Sequence, residues 1–286
     1  FDDLPAVAPS GDIQMQRNIT EKLLSLLSEN KISAVGFVNE GKLYEKNQPD
    51  KQKVKLLETW LKRGHELGNH TYSHYSLNET PLEKFTEDVI KGETVTRKLL
   101  SQKGMKLRYF RHPYLHTGRT PEVKKGFEEF LRNHNYTAAP VTIDNSDWIF
   151  AKAYSIAIEK GDSAMMKKIG AEYVPYLQRK FEYYEKESDI IFGRQIKQVL
   201  LLHANTINAD YFGEVAGMLR SRGYKFISLA DALKDSAYSS EDNYMKAGGI
   251  SWLHRWAITR GLPREIFKGE PLTPEFIAQY AGVEAE

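Results

Sequence analysis

The sequence predicts an α/β fold, a (β/α) barrel of about seven strands with helical additions, and three observations carry that reading. Short apolar runs of strand length alternate with amphipathic helical stretches. The polar clusters follow such runs, and βα barrels build their sites at the carboxyl ends of strands. The chain has 286 residues, 41% of them hydrophobic, enough for one large barrel with additions or for two smaller domains.

The elements follow in order. Asn18 or Thr20 can cap a helix to about Asn30, with Ile19, Leu23, Leu24, Leu26 and Leu27 on its apolar face. Ala34 to Val38 reads as a buried strand, and 41–50 as a polar loop. Lys51 to Arg63 is a helix ended by Gly64, and Glu66 to Asn69 a short strand. Pro81 opens one long helix to about Lys103. Leu107 to Phe110 is a strand, Pro121 to about His134 a helix, and Tyr136 to Ile143 a strand. From 149 to about 196 the pattern is helical, with a break at Gly161-Asp162, which predicts a helical insertion of two helices. Val199 to Leu202 is a strand, Ala209 to Arg222 a helix, Lys225 to Ser228 a last strand and Leu229 to Lys234 a short helix. Residues 1–235 are expected to form the barrel domain. Residues 236–286 form a C-terminal helical extension packed on it, with short helices at 251–259 and 274–280. Trp252 and Trp256 at i and i+4 dock that extension; a sugar-stacking platform is the minor reading.

Composition excludes several classes. Forty Lys and Arg against 38 Asp and Glu leave a net charge of +2, which argues against a nucleic-acid binder, since a basic stripe is expected of one. There is no cysteine, so a metal site must use His and carboxylate. No apolar run reaches the length of a membrane span.

The strongest chemical signal is Gly-His-Glu-Leu-Gly-Asn-His-Thr-Tyr-Ser-His at 64–74. His70 and His74 are four apart, which on a helical turn sets both on one face. That spacing lets two imidazoles reach one divalent metal such as zinc, and the adjacent acids Asp2 and Asp3 are candidates for a third ligand. Alone the pair is weak, because two such histidines on an exposed helix are more often unliganded. Further polar clusters stand at Arg111-His112-Pro113-Tyr114, Asp144-Asn145-Ser146-Asp147-Trp148 and Leu201-Leu202-His203.

Taken in order, these clusters resemble the polysaccharide deacetylase family, carbohydrate esterase family 4. Phe1-Asp2-Asp3 is similar to its first motif, and His70-Thr71 with His74 to its second. Arg111, Pro113 and Tyr114 match the third, Asp144, Asp147 and Trp148 the fourth, and Leu201 and His203 the fifth. The resemblance runs to about residue 235 and implies a distorted (β/α) barrel. Two departures stand out. Leu4 sits where the family has Gly, and the chain begins inside the first motif, without the apolar strand that should precede Phe1 and leaving a neighbouring edge unpaired. The chain therefore reads as an excerpt of a longer one. A processed signal peptide upstream would fit, and a secreted, periplasmic or cell-envelope location is expected.

The resemblance also implies roles. Asp3, His70 and His74 would hold one divalent ion, zinc by default, with cobalt or nickel compatible. Asp2 would be the general base, held by Arg111, and His203 the general acid, with Asp147 on its other ring nitrogen. Because strand neighbours point to opposite faces, Asp2 and Asp3 need a bend between them to address one site. The backbone N–H of Tyr114, fixed by Pro113, would stabilise the oxyanion. Trp148 and Leu201 would line the acetyl pocket, or serve as plain core; His112 and His116 lie close enough in sequence to the third motif to contact substrate, or take a surface role.

The implied activity is metal-dependent hydrolysis of acetyl groups from an N-acetylated glycan, by water activated at the metal. O-acetyl xylan-type esters or a small amide are alternative substrates for the same groups. A carbohydrate-binding pseudoenzyme is the reading from a different class, and intact acids and histidines count against it. The expected partner is a glycan or oligosaccharide.

Overall fold

A computed structural model describes residues 1–8 and 11–284. The first half carries β1 (Asp2–Val7), α1 (Ile13–Glu29), β2 (Val35–Val38), β3 (Tyr44–Glu45), β4 (Gln48–Pro49), α2 (Lys51–Lys62) and β5 (Glu66–Asn69). Then come α3 (Leu82–Lys91), α4 (Thr94–Ser101), β6 (Tyr109–Phe110), α5 (Pro121–Asn133) and β7 (Thr137–Ala138). The remainder holds α6 (Asp147–Glu159), α7 (Ser163–Phe192), β8 (His203–Asn205), α8 (Thr206–Ser221), α9 (Leu229–Ala232), α10 (Trp252–Thr259) and α11 (Glu275–Ala281).

Six strands form one parallel sheet in the order β7-β6-β5-β2-β1-β8, and β3 and β4 form a separate small hairpin. The chain after β7 reaches across to the far edge. Ala139 N donates to Phe110 O on β6, whereas Ile143 N donates to Val199 O and Leu201 N to Ile143 O. One stretch thus bonds both to β6 and to the segment that leads into β8, through an isolated parallel bridge between Ile143 and Leu200. Phe1 continues β1 inward, bonded through Phe37 N to its carbonyl. Beside it, between β2 and 199–202, lies a cavity lined by Ile32, Val35, Leu200, Leu202, Phe212 and Phe226.

Register explains where the site falls. Leu4 pairs with Val38, Val38 with Asn69, Asn69 with Phe110, and Phe110 with Ala138, one level row across five strands. Asp3, His70 and Arg111 each sit one residue from that row. Leu4 itself is fully buried, and Gly36 makes its room, since a Cβ there would overlap Leu4 Cδ2. The departure at the first motif is absorbed by the neighbouring strand.

Helices cover the sheet with side chains such as Trp60, Phe85, Phe127 and Phe212, each at most 3% exposed. Full burial of such a side chain contributes about 1.5–3 kcal/mol. The insertion forms as read: α6 and α7 make a hairpin broken at 160–162, and Phe150, Tyr173 and Tyr176 pack ring to ring between them. Trp252 and Trp256 are buried, and Ser251 Oγ donates to Thr142 O while Trp252 N donates to Val141 O, so this tryptophan pair docks.

Four local expectations are corrected. The first helix starts at Ile13, capped by Asp12, and Thr20 instead bonds Gln16 O inside it. The long helix over 81–103 is two, parted at Gly92-Glu93. Gly92 lies against the Thr71–Tyr72 backbone, and the buried carboxylate of Glu40 accepts from Val95 N at 2.8 Å and Thr96 N at 3.0 Å, capping α4 from a distant part of the chain. Residues 225–228 form no strand; Ser228 caps α9 by accepting from Asp231 N. The segments around 136–143 and 199–202 pair only over short spans, Thr137–Ala138 with β6 and Ile143 with Leu200, and the chain bends between them at Thr142.

Candidate active site

Asp2 and Asp3 open β1. Asp3 has φ +66°, within the stretch between Asp2 and Val7 where the β1–β8 register shifts, and this supplies the bend that adjacent strand residues need to address one site. His70 follows β5 and His74 the loop after it. That loop is not helical: Thr71 and His74 both have positive φ, and the two rings converge through a turn instead. The helical-turn geometry expected for the pair is therefore wrong, although the convergence is right. The turn is held by Asn69 Oδ1, which accepts from Thr71 N at 2.7 Å, and by Thr71 Oγ1, which accepts from His74 N at 2.9 Å.

His70 Nδ1 lies 2.8 Å from Arg111 O, and a carbonyl can only accept, so Nδ1 carries the proton and Nε2 its lone pair. His70 Nε2 and His74 Nε2 are 3.2 Å apart, and Asp3 Oδ1 is 3.8 Å from the first and 3.5 Å from the second. Ligand atoms about 2.0–2.1 Å from a tetrahedral zinc stand roughly 3.3 Å from one another. Asp3 Oδ1 is buried with no hydrogen-bond partner among the described residues, an orphaned oxygen facing two imidazole nitrogens. The donor set and its spacing fit a divalent ion. Burial, and for His74 also the neighbouring His70, lower both imidazoles from their ordinary range, His74 to about 4, which favours the neutral, ligating form. Lys42 Nζ, 3.1 Å from Asp3 Oδ2, occupies the other oxygen. The sequence did not single out Lys42, whose short 3₁₀ turn (Glu40–Leu43) follows β2.

Beside this group, Asp2 and Arg111 are both 2% exposed. Arg111 Nη1 stands 3.5 Å from Asp2 Oδ2, an ion pair at the long limit of a hydrogen bond, and its guanidinium lies over the Phe37 ring. Burial opposes the Asp2 charge, but Arg111 and His70 outweigh it and hold the carboxyl below the usual range. Pro113 is buried, whereas Tyr114 is 56% exposed with φ +55° and packs against His74. The C-terminal extension runs over this loop. A Cβ at Gly249 would overlap Tyr114 O, and the fully buried Arg255 bonds Leu115 O, Thr117 Oγ1 and Asp242. His112 is buried, which leaves room for neither the substrate contact nor the surface role open to it in sequence; His116 bonds Ser76.

On the other side, His203 Nδ1 meets Asp147 Oδ1 at 2.7 Å and His203 N donates to Asp147 Oδ2 at 2.8 Å. Burial, the largest single influence, would lower His203, but Asp147 together with Asp3 and Asp2 outweighs it and lifts it to about 9. Trp148 is 46% exposed beside this pair, while Leu201 is buried and its carbonyl accepts from Asn145 Nδ2. Asp144 accepts from Asn145 N. Asn205 and Asn208, which also bind Asp147, escaped the sequence reading because Asn at the start of a helix looks like an ordinary cap.

Comparison with known proteins follows the same line. The family model described as Polysaccharide deacetylase matches residues 1–137, just under half of the chain. A peptidoglycan-N-acetylglucosamine deacetylase of Bacillus cereus is 26% identical over 129 residues, 45% of this chain and 41% of that protein, so the match spans under half of the relative. Among solved structures, a peptidoglycan N-acetylglucosamine deacetylase superposes with a TM-score of 0.51 at 17% identity, over 81% of this chain and 85% of the other. A family 4 acetyl xylan esterase of Clostridium thermocellum, in complex with cobalt, gives 0.50 at 17%, over 82% and 87%. A family 4 pseudoenzyme of Bacillus anthracis gives 0.50 at 15%, over 76% and 60%. At these identities the structural likeness carries the fold alone.

Proposed function

We propose that this protein hydrolyses acetyl groups from an N-acetylated glycan, with one divalent ion held by Asp3, His70 and His74, a reading supported by the match of residues 1–137 to the polysaccharide deacetylase family model. The observation that carries the proposal is the placing of that ligand group between a buried Asp2–Arg111 pair and the Asp147–His203 pair. When bound, a zinc ion there would supply Lewis acidity toward the acyl carbonyl and acidify water.

The chain's own residues do the rest. Asp2, charged and held by Arg111, takes a proton from the attacking water. The Tyr114 N–H, on a loop fixed by Pro113 and by the extension, donates to the developing oxyanion. His203 carries a proton on Nε2 and gives it to the departing amine nitrogen as the C–N bond breaks, which leaves acetate and a free amine. Trp148 and Leu201 bound the acetyl side. Residues 1–235 carry this chemistry and 236–286 brace it. A glycan substrate of the peptidoglycan or chitin type sets the place of action outside the cytoplasm.

Ester hydrolysis on acetylated xylan uses the same groups with an alcohol leaving. Both proton-transfer residues and all three ligands are present, which speaks against a binding-only role. Acetate release from chitin oligomers, peptidoglycan and acetylated xylan, measured with and without added zinc, tests the proposal. No metal-dependent release from any of them would remove the enzymatic reading.

A further inference from the structure

The wall behind His203 is built by a segment that lies outside all five motifs. Asp147 is fully buried. Its Oδ2 accepts from His203 N at 2.8 Å, Asn208 Nδ2 at 2.7 Å and Asn205 Nδ2 at 3.2 Å, which leaves Oδ1 to the His203 ring. Asn208 is also fully buried, and its Nδ2 reaches His203 O at 2.9 Å as well. Its Oδ1 accepts from the hydroxyl of Tyr173 at 2.5 Å. Tyr173 belongs to α7, the second helix of the insertion, and is fully buried.

An amide has a donor end and an acceptor end. With the phenol O–H on Oδ1, the NH₂ end of Asn208 is turned toward the carboxylate. A flipped amide would set oxygen against oxygen in a buried site, where an unpaired polar group is most costly. One turn along α7, the Tyr176 hydroxyl accepts from Ser146 N at 2.9 Å, at the residue that precedes Asp147. The insertion therefore grips both the carboxylate's partner and the backbone that presents the carboxylate.

We propose that Asn208 and, through it, Tyr173 are positioning residues for His203, so that the helical insertion supports proton transfer from behind the site. This rests on the reading of His203 as the general acid. The bond chain Tyr173–Asn208–Asp147–His203 fixes which oxygen and which ring nitrogen meet. Nε2 then faces the substrate in one orientation.

The test compares Tyr173→Phe and Asn208→Leu with Tyr184→Phe in zinc-loaded protein. Tyr184→Phe removes an equally buried phenol of α7, bonded to Glu270 at 2.8 Å outside this chain of bonds. Wild type and His203→Ala are assayed first on chitin oligomers and peptidoglycan. No release by wild type, or full release by His203→Ala, overturns the reading of the acid and not the bond chain. The bond chain is read separately, from the Nδ1–H resonance of His203 in protein carrying ¹⁵N-labelled histidine.

In Tyr173→Phe the resonance should broaden and kcat fall about tenfold; in Asn208→Leu kcat should fall 10- to 100-fold, on the order seen for supporting partners. KM should stay within about twofold of wild type, since the substrate groove is untouched. The alkaline limb of kcat should move to lower pH in both, and Tyr184→Phe should leave kcat, limb and resonance in place. The proposal is overturned if folded Tyr173→Phe keeps the wild-type resonance and alkaline limb, or if Tyr184→Phe moves them equally. Should Asn208→Leu not fold, Tyr173→Phe decides alone, because it removes one hydroxyl and leaves the packing ring.

Discussion

Asp2 and His203 are direct partners across the β1–β8 pairing, so the two groups assigned to proton transfer stand side by side on neighbouring strands. Each is tied down by a different residue: Asp2 by Arg111 and His203 by Asp147. The proposed base and the proposed acid are thus held apart in charge, one kept anionic and one kept protonated.

Asp2→Asn and His203→Ala are expected to lower kcat by about 10²- to 10⁴-fold while metal content stays at one ion per chain. Rate and metal analysis on the same samples check this. If Asp2→Asn loses the metal and Asp3→Asn retains it, the two acids have been assigned in reverse.

Asp3→Asn, His70→Ala and His74→Ala are each expected to lose the ion, and a chelator should abolish acetate release that zinc restores. Anomalous diffraction at the zinc edge should give a single strong peak among these three side chains. A peak elsewhere would refute the assignment.

His203 is lifted from 6.5 to about 9 because Asp147, joined by Asp3 and Asp2, outweighs the lowering effect of burial. A raised folded-state value means stability that is fully present below about pH 6.5 and is lost as pH rises through about 9. Asp147→Asn should remove it. The difference in unfolding free energy between wild type and this variant should be large at pH 6 and shrink toward pH 10, and the alkaline limb of kcat should fall with it. A difference that stays constant across that range would show that the pair is not what raises His203.

Gly249→Ala and Gly248→Ala make a matched pair. A methyl at 249 collides with Tyr114 O, whereas at 248 it meets its first neighbours at 3.6 Å, ordinary contact. The first should cost about 1–3 kcal/mol of stability, as overpacking does, and lower kcat by shifting the third-motif loop. The second should be close to neutral. Equal effects would argue that the extension does not brace that loop.

Much of the site could be read along the chain because its members fall in short clusters, each compact in sequence although the clusters are far apart. His70 and His74 share one turn, Asp2 and Asp3 are adjacent, and the spacing of Asp144, Asp147 and Trp148 survives whatever the backbone does between them. The strand at Ala34 to Val38 was readable as a short apolar run, and the one at Glu66 to Asn69 from its place between the helix stop at Gly64 and the His pair. The reading failed where the deciding partner is remote. Glu40 caps α4 from 55 residues away, so one helix became two. The turn at Thr71–His74 replaced the expected helix because Asn69, anchored to Val89 O and the Tyr136 hydroxyl, holds Thr71 in the left-handed region.

The α/β alternation, the insertion with its break near Gly161 and the order of the five clusters all follow from local pattern, since burial periodicity and turn residues act between near neighbours. The bend at Asp3, the room that Gly36 leaves for Leu4, the bonding of 139–143 to both β6 and 199–201, and the hold of Tyr173 on Asn208 belong to the folded chain. Each depends on the close approach of residues far apart in sequence. A side chain's chemistry is written at its own position, but the partner that orients it is chosen by packing.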